Sequence, residues 1–162
     1  MEKLQINLPY TDFSSPEELT ADDRELIAQA IESTRRSYAP YSRFSVGAAI
    51  RLRESGLIIC GSNQENAAYP SGLCAERTAL FYAGASHPEE SVSTLAIAAR
   101  NEQGILTPQP ITPCGACRQV MLETCMRQGH PFRCLLYGTK KIRLIEDCRL
   151  LLPFSFSAED MK

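Results

Sequence analysis

Two short segments concentrate the side chains able to hold a metal ion and move a proton. The first is Cys74-Ala75-Glu76-Arg77, and the second is Pro113-Cys114-Gly115-Ala116-Cys117. Cysteines three residues apart at a helix start present both sulfurs on one face. Pro113 suits such a start, because the N–H it lacks would have no partner there. Cys74 also falls where a helix should begin. Helix N-termini carry partial positive charge, which favours thiolate over thiol. Three thiolates from two helix starts can therefore converge on one Zn²⁺, which leaves a fourth position for water, as in catalytic rather than structural zinc sites. Glu76 lies beside the three ligands without replacing one. A carboxylate so placed can take a proton from metal-bound water and return it to a substrate nitrogen. Zn²⁺ with three thiolates carries a net −1, which makes bound water less acidic. Arg77 and the two helix dipoles are the compensating positive groups, with Arg118 a weaker one.

The elements that must position these residues follow from hydrophobic period. Thr20 with Asp23 resembles a capping box. Leu26, Ile27, Ala30, Ile31, Thr34 and Tyr38 recur at helical spacing and predict an amphipathic helix up to Pro40. Phe44, Val46, Ala48, Ile50 and Leu52 alternate as a half-buried strand. Leu57–Cys60 returns across the turn Glu54-Ser55-Gly56 as its hairpin partner. A loop from Gly61 to Gly72 leads into a predicted helix from Cys74 to Gly84. Thr94–Ala99 reads as a buried strand, and a further helix runs from near Cys114 to just before Gly129. Phe132–Tyr137 and Lys141–Ile145 flank Gly138-Thr139 as two more strands. This order predicts an α/β fold: three αβα layers around a mixed sheet of about five strands. The expected organisation is an N-terminal extension, residues 1–18, and one domain, residues 19–162.

Composition narrows the partners. The chain has 162 residues, 17 Lys plus Arg against 19 Asp plus Glu, and a formal net charge of −2. That balance argues against nucleic acid or an anionic membrane surface as partners, and no apolar run reaches membrane-spanning length. Seven cysteines is an odd count, and residues 1–13 lack a secretory apolar region. Reduced thiols, metal ligation or catalysis are the consistent uses, and the expected location is cytoplasmic.

The pattern C-x-E followed at a distance by P-C-x-x-C is a zinc-deaminase signature in its all-cysteine form. Further blocks accompany it: Tyr38-Ala39-Pro40-Tyr41-Ser42-Arg43-Phe44-Ser45-Val46-Gly47-Ala48-Ala49, Gly61-Ser62-Asn63-Gln64-Glu65-Asn66-Ala67-Ala68-Tyr69-Pro70, and the tail Leu151-Leu152-Pro153-Phe154-Ser155-Phe156. With these, the chain resembles the small homotetrameric cytidine deaminases over nearly its whole length. The resemblance implies hydrolytic deamination of cytidine and 2′-deoxycytidine in pyrimidine salvage, with one Zn²⁺ per chain held by Cys74, Cys114 and Cys117. It implies Glu76 as the proton shuttle, Asn63 and Glu65 on the ribose hydroxyls, Phe44 near the pyrimidine and the backbone of Ala75 at the base edge. It also implies a homotetramer in which neighbouring subunits bring Tyr69 and Phe156 to the pocket. Ser62 and Gln64 depart from the family's more usual cysteine and aliphatic residue.

Other readings stand beside these. Cys60, Cys125, Cys134 and Cys148 read as small buried hydrophobes, although any one of them as a fourth ligand would make the site structural. His87 and His130 read as solvated loop residues. Glu76 alone would be a helix-dipole stabiliser, Asn63 and Glu65 turn residues, and Phe44 plain strand core. Cys114-x-x-Cys117 alone suits thiol–disulfide exchange, but that leaves Cys74 and Glu76 unexplained. A deaminase of a cytosine-containing antibiotic such as blasticidin S, or a non-catalytic zinc-stabilised binding module, are the alternative functions.

Overall fold

The computed structural model describes residues 1–162. Six strands form one sheet: β1 (Thr11–Phe13), β2 (Ser45–Leu52), β3 (Ile58–Ser62), β4 (Val92–Arg100), β5 (Arg133–Tyr137) and β6 (Ile142–Ile145). Their order is β1-β6-β5-β4-β2-β3. The β4–β5 pair is parallel, and every other neighbour is antiparallel. Three α-helices complete the chain: α1 (Ala21–Ser33), α2 (Ala75–Ser86) and α3 (Gly115–Gln128). No helix is long and apolar enough to cross a membrane.

The two-residue period of the strands sorts the core into two layers. Ala48, Ile50, Leu52, Leu95, Ile97, Cys134 and Leu136 pack with α2 and α3 through Ala79, Leu80, Ala83, Met121 and Cys125. Their neighbours Ala49, Ala96, Ala98 and Leu135 face Leu26, Ile27 and Ala30 of α1. Central strand β4 is buried on both faces, as its continuous apolar run required. Alanines there let α1 approach closely, and Gly47 carries this furthest. A Cβ at Gly47 would collide with the Ala30 carbonyl oxygen and come within 2.6 Å of the Thr34 backbone nitrogen.

Several local expectations shift by a few residues. Helix α1 stops at Ser33 and continues only as a 3-10 turn, Thr34–Arg36. The Thr20 hydroxyl does accept from the Asp23 backbone N–H, at 3.1 Å. The Asp23 carboxylate, however, does not reach back; it is buried and pairs with Arg133 on β5. The capping box is thus one-sided, because a cross-layer ion pair outcompetes the local bond. His87 and His130 are half-buried rather than solvated: His87 Nδ1 sits 3.6 Å from Glu90, and His130 Nδ1 lies 3.2 Å from the Gln128 amide.

The sixth strand comes from the N-terminal segment. Residues Thr11–Phe13 pair with β6 in the register Thr11–Leu144, Asp12–Arg143 and Phe13–Ile142. Asp12 accepts from Arg143 at 2.8 and 2.9 Å and pairs with Lys141 at 3.1 Å. The Arg143 guanidinium also lies 4.0 Å from the Tyr10 ring centroid. A three-residue strand is too short to carry a periodic signal, so only these cross-strand partners reveal it. Arg143 and then Lys141 hold the Asp12 carboxyl down to about 2. A carboxylate depressed on folding stabilises above its unfolded value of 3.8 and loses that contribution as pH falls through about 2. Asp12→Asn should therefore destabilise the β1–β6 edge by about 0.5–1 kcal/mol at neutral pH, with the difference from the parent shrinking as pH falls through about 2. Amide exchange of β1 measured down through that pH checks this; a difference unchanged between neutral pH and about pH 2 would contradict it.

Candidate metal centre and pocket

Cys74 and Cys114 are the N-cap residues of α2 and α3. Both backbones are extended, and their carbonyls accept the first helical bonds, from the Thr78 and Arg118 N–H groups at 3.0 Å each. A serine or aspartate at an N-cap would turn its side chain onto the helix. Neither cysteine does so, which leaves each sulfur free to face the other helix. Cys117, one turn into α3, completes the set. The Sγ atoms lie 3.7 Å apart for Cys74–Cys114 and 3.5 Å for Cys114–Cys117, and all three fall within 4.8 Å of one another. Tetrahedral zinc thiolates at Zn–S of 2.3 Å require sulfurs about 3.8 Å apart. The donor set therefore fits one zinc ion.

Placement of α2 depends on Gly61 of β3. A Cβ there would stand 2.5 Å from the Ala75 carbonyl oxygen and 2.7 Å from the Ala79 nitrogen. With glycine, the first turn of α2 lies directly on the strand that continues into Asn63. The metal helix and the strand leading to the expected ribose-binding residues are thereby locked at close range.

Charge around the sulfurs is unevenly arranged. Thiol donation from Cys117, together with Arg77 and Cys114, brings Cys74 down to about 5 despite its burial. Donating to that thiolate, and burial, push Cys117 up. A cation at their centre would favour all three as thiolates. Arg77 Nη2 lies 3.7 Å from Cys74 Sγ and 3.4 Å from the Gly72 carbonyl oxygen. It is the positive side chain at the cluster. Arg118 is not: it donates to the Pro113 and Leu151 carbonyls at 2.8 and 2.9 Å and so braces loops. Cys125, Cys134 and Cys148 are buried away from the cluster, while Cys60 is half-buried. No fourth His, Cys, Asp or Glu joins the three sulfurs.

Glu76, in the first turn of α2, is only 4% exposed. Burial, reinforced by the Cys74 thiolate, raises its pKa. That shift brings a carboxyl nearer the range in which it can both accept and return a proton.

Beside the cluster lies a cavity of about 510 Å³. Its walls include Cys74 and Arg77, and also Asn63, Glu65, Tyr41, Ser42 and Tyr69. Asn63 already makes three bonds: Oδ1 accepts from the Ser37 hydroxyl at 2.5 Å and the Val46 N–H at 2.8 Å, and Nδ2 donates to the Phe44 carbonyl at 2.9 Å. One amide hydrogen remains for a ligand. Glu65 Oε2 accepts from the Tyr41 and Ser42 N–H groups at 2.8 and 3.2 Å. Those bonds, with the Ser42 side chain the largest cause, lower its pKa and hold it ionised, with the other oxygen available as an acceptor.

Not every expected site residue reaches this cavity. Ala75 is fully buried at the first position of α2. Phe44 is half-buried at the foot of β2 and lies outside the cavity lining. Its placement follows Arg43, whose φ of 54° turns the chain sharply into the strand. Tyr69 is 75% exposed, lines the cavity of its own chain and stacks edge-on against Tyr41, with centroids 5.8 Å apart. Phe156 is also exposed, and its carbonyl accepts from Gln119 Nε2 at 2.9 Å. Tyr41 and Ser42, which stand in the block from Tyr38 to Ala49 without an expected role, and Leu73 also line the cavity. Their positions arise from loop packing that no local spacing encodes.

Comparison with known proteins agrees with this geometry. Residues 20–129 match the family described as the cytidine and deoxycytidylate deaminase zinc-binding region. A cytidine deaminase from Halalkalibacterium halodurans is 42% identical over 86% of this chain and 98% of its own length. One from Sporosarcina psychrophila is also 42% identical, over 86% of this chain and 95% of its own. The crystal structure of cytidine deaminase from Burkholderia pseudomallei superposes with a TM-score of 0.70 at 37% identity, covering 85% of this chain and all of that one. With three thiols converging at two helix starts, a buried glutamate beside them and a match across most of its length, the chain belongs to the cytidine and deoxycytidylate deaminase zinc-binding family.

Proposed function

We propose that this chain hydrolyses cytidine and 2′-deoxycytidine to the corresponding uridines and ammonia. The observation that carries the reading is a buried Glu76 beside three converged cysteine sulfurs, one of which, Cys74, stands with Arg77 in the wall of a cavity of about 510 Å³. Cys74, Cys114 and Cys117 would hold zinc, which when bound supplies an acidified water at neutral pH. Glu76 accepts a proton in the pocket and delivers it to N3 of the base, which makes C4 electrophilic. The same carboxylate then carries a proton to the departing amino nitrogen. Burial supports this cycle, because it keeps the proton from exchanging with bulk water and brings the carboxyl's pKa towards that of its task. Arg77 balances the thiolate charge from outside the reacting atoms.

Asn63 and Glu65 would bind the ribose hydroxyls, the one through its remaining amide hydrogen and the other as an ionised acceptor. Phe44 and the Ala75 backbone would meet the base. Phe156, and Tyr69 from the wall of its own chain's cavity, would close the pocket where subunits of a homotetramer meet, which suits their exposure on a single chain. A cytoplasmic place in pyrimidine salvage belongs to the same reading, as does a deaminase domain of residues 19–162 to whose sheet the extension of residues 1–18 adds β1.

Ammonia release from cytidine, 2′-deoxycytidine and blasticidin S, measured side by side, tests it. Turnover of the two nucleosides is the expected result, and antibiotic turnover alone would replace the substrate assignment. Asn63→Ala should raise KM for cytidine and also lower stability by about 1–3 kcal/mol, since the Val46 N–H and the Ser37 hydroxyl lose their acceptor. Thermal melting and a KM measurement separate the two effects. An unchanged KM would remove Asn63 from the binding role.

A further inference from the structure

A second pair of sulfurs lies outside the metal centre and has no part in the proposed reaction. Cys125, in the second half of α3, and Cys148, the first residue of the 3-10 turn Cys148–Leu151, have Sγ atoms 3.2 Å apart. Their residues are 3% and 2% exposed. The backbone of Cys148 is fixed by its own N–H, which donates to the Phe132 carbonyl at 3.1 Å. No third ligand atom gathers with these two sulfurs, so the pair is not a metal site. Its chemistry is that of two thiols facing each other.

We infer that Cys125 and Cys148 are a peroxide-oxidisable pair that closes reversibly to a disulfide and staples the C-terminal turn to α3. A disulfide needs sulfurs about 2.05 Å apart, so the pair must close by roughly 1 Å, a change within reach of side-chain rotation. Hydrogen peroxide is the oxidant. The Cys125 thiolate attacks one peroxide oxygen, the O–O bond breaks, hydroxide leaves and Cys125 becomes a sulfenic acid. Cys148 sulfur then displaces the sulfenic oxygen as water, forming the S–S bond. Two electrons pass from the two sulfurs to the peroxide, which ends as two waters once the thiol protons are counted. Either sulfur can donate to the other at 3.2 Å; with Cys148 as the donor the thiolate rests on Cys125, the assigned attacker.

The bridge would add to contacts that already tie the tail to the same helix. Arg118 holds the Leu151 carbonyl at 2.9 Å, and Gln119 holds the Phe156 carbonyl at 2.9 Å. A covalent bond among them would fasten the turn from which residues 152–162 extend.

The test is peptide mapping under non-reducing conditions of the full-length, zinc-loaded protein after brief peroxide treatment. The expected result is a Cys125–Cys148 linked peptide lacking two hydrogens, reversed by dithiothreitol, with zinc retained. The oxidised protein should melt about 5–10 °C higher than the reduced one. Cys148→Ser should halt the sequence at a sulfenic acid on Cys125, captured by dimedone. Three outcomes would overturn the inference: both thiols persist while Cys60 oxidises, Cys125 passes to sulfinic acid with no linked peptide, or the sole linkage joins Cys114 to Cys117 with loss of zinc. None of these readouts depends on cytidine turnover, so a failure here leaves the proposed activity untouched, and the reverse.

Discussion

Glu76→Ala is expected to lower cytidine turnover by at least about 10⁴-fold, equivalent to roughly 5.5 kcal/mol of transition-state stabilisation, while the protein keeps its zinc and its fold. The residue carries the proton at two points of the cycle, so its loss should exceed that of a single general acid or base. The variant also distinguishes chemistry from structure. Glu76 is 4% exposed, and its charged form is disfavoured there by burial. Removing a buried carboxyl whose ionisation is resisted should not reduce stability, so the melting temperature should hold or rise. Metal content, melting temperature and ammonia release on one preparation check all three expectations. Substantial residual turnover would sink the proton-shuttle role. Loss of zinc in this variant would instead make the glutamate a support of the metal centre.

Cys114→Ala is expected to remove both zinc and activity, and it is the most informative of the ligand substitutions. Cys117 is wholly buried, so truncating it also disturbs packing, whereas Cys114 is exposed and contributes little to the core. Zinc should fall from about one per chain to well below stoichiometric, because two thiolates and a water bind far more weakly than three thiolates. Turnover should fall by at least about 10³-fold with it. Cys134→Ala is the matched control. That sulfur is buried in β5 and is not one of the three gathered at the metal centre, so the variant should retain zinc and lose stability. If Cys134→Ala lost zinc while Cys114→Ala retained it, the ligand assignment would be wrong.

Residues whose role depends on near neighbours were the ones legible in advance. Cys114 and Cys117 come together by spacing alone, while Pro113 falls one residue before the N-cap Cys114 rather than in the first turn of α3. The alternation from Val46 to Leu52 sorted β2 onto two faces, but it did not show that the second face is also covered, with Gly47 and Ala49 buried under α1. The all-apolar run in β4 required cover on both faces, and α1 on one side with α2 and α3 on the other supplies it. The resemblance then pointed to Asn63 and Glu65, but could not reveal that Asn63 already uses most of its bonding capacity to hold Ser37, Val46 and Phe44. Nor could it place Phe44 outside the cavity lining or Tyr69 within the wall of its own chain. Those arrangements depend on Arg43 turning with a positive φ and on a loop folding over Glu65.

By itself, then, the sequence determined which atoms could bind a metal, which carboxyl stood beside them, and that two helices would begin at those cysteines. Each of these rests on interactions within one helical turn, where residue type and spacing set the geometry. Tertiary structure alone decided that the two helix starts meet, because Cys74 and Cys114 come within 3.7 Å only after the sheet has set the helices side by side. It likewise decided that Thr11–Phe13 becomes a sixth strand through Arg143, that Asp23 leaves its cap for Arg133, and that Cys125 faces Cys148. Such contacts join residues far apart along the chain. Their energies appear only when hydrophobic burial has already fixed the elements that carry them, so no local pattern records them.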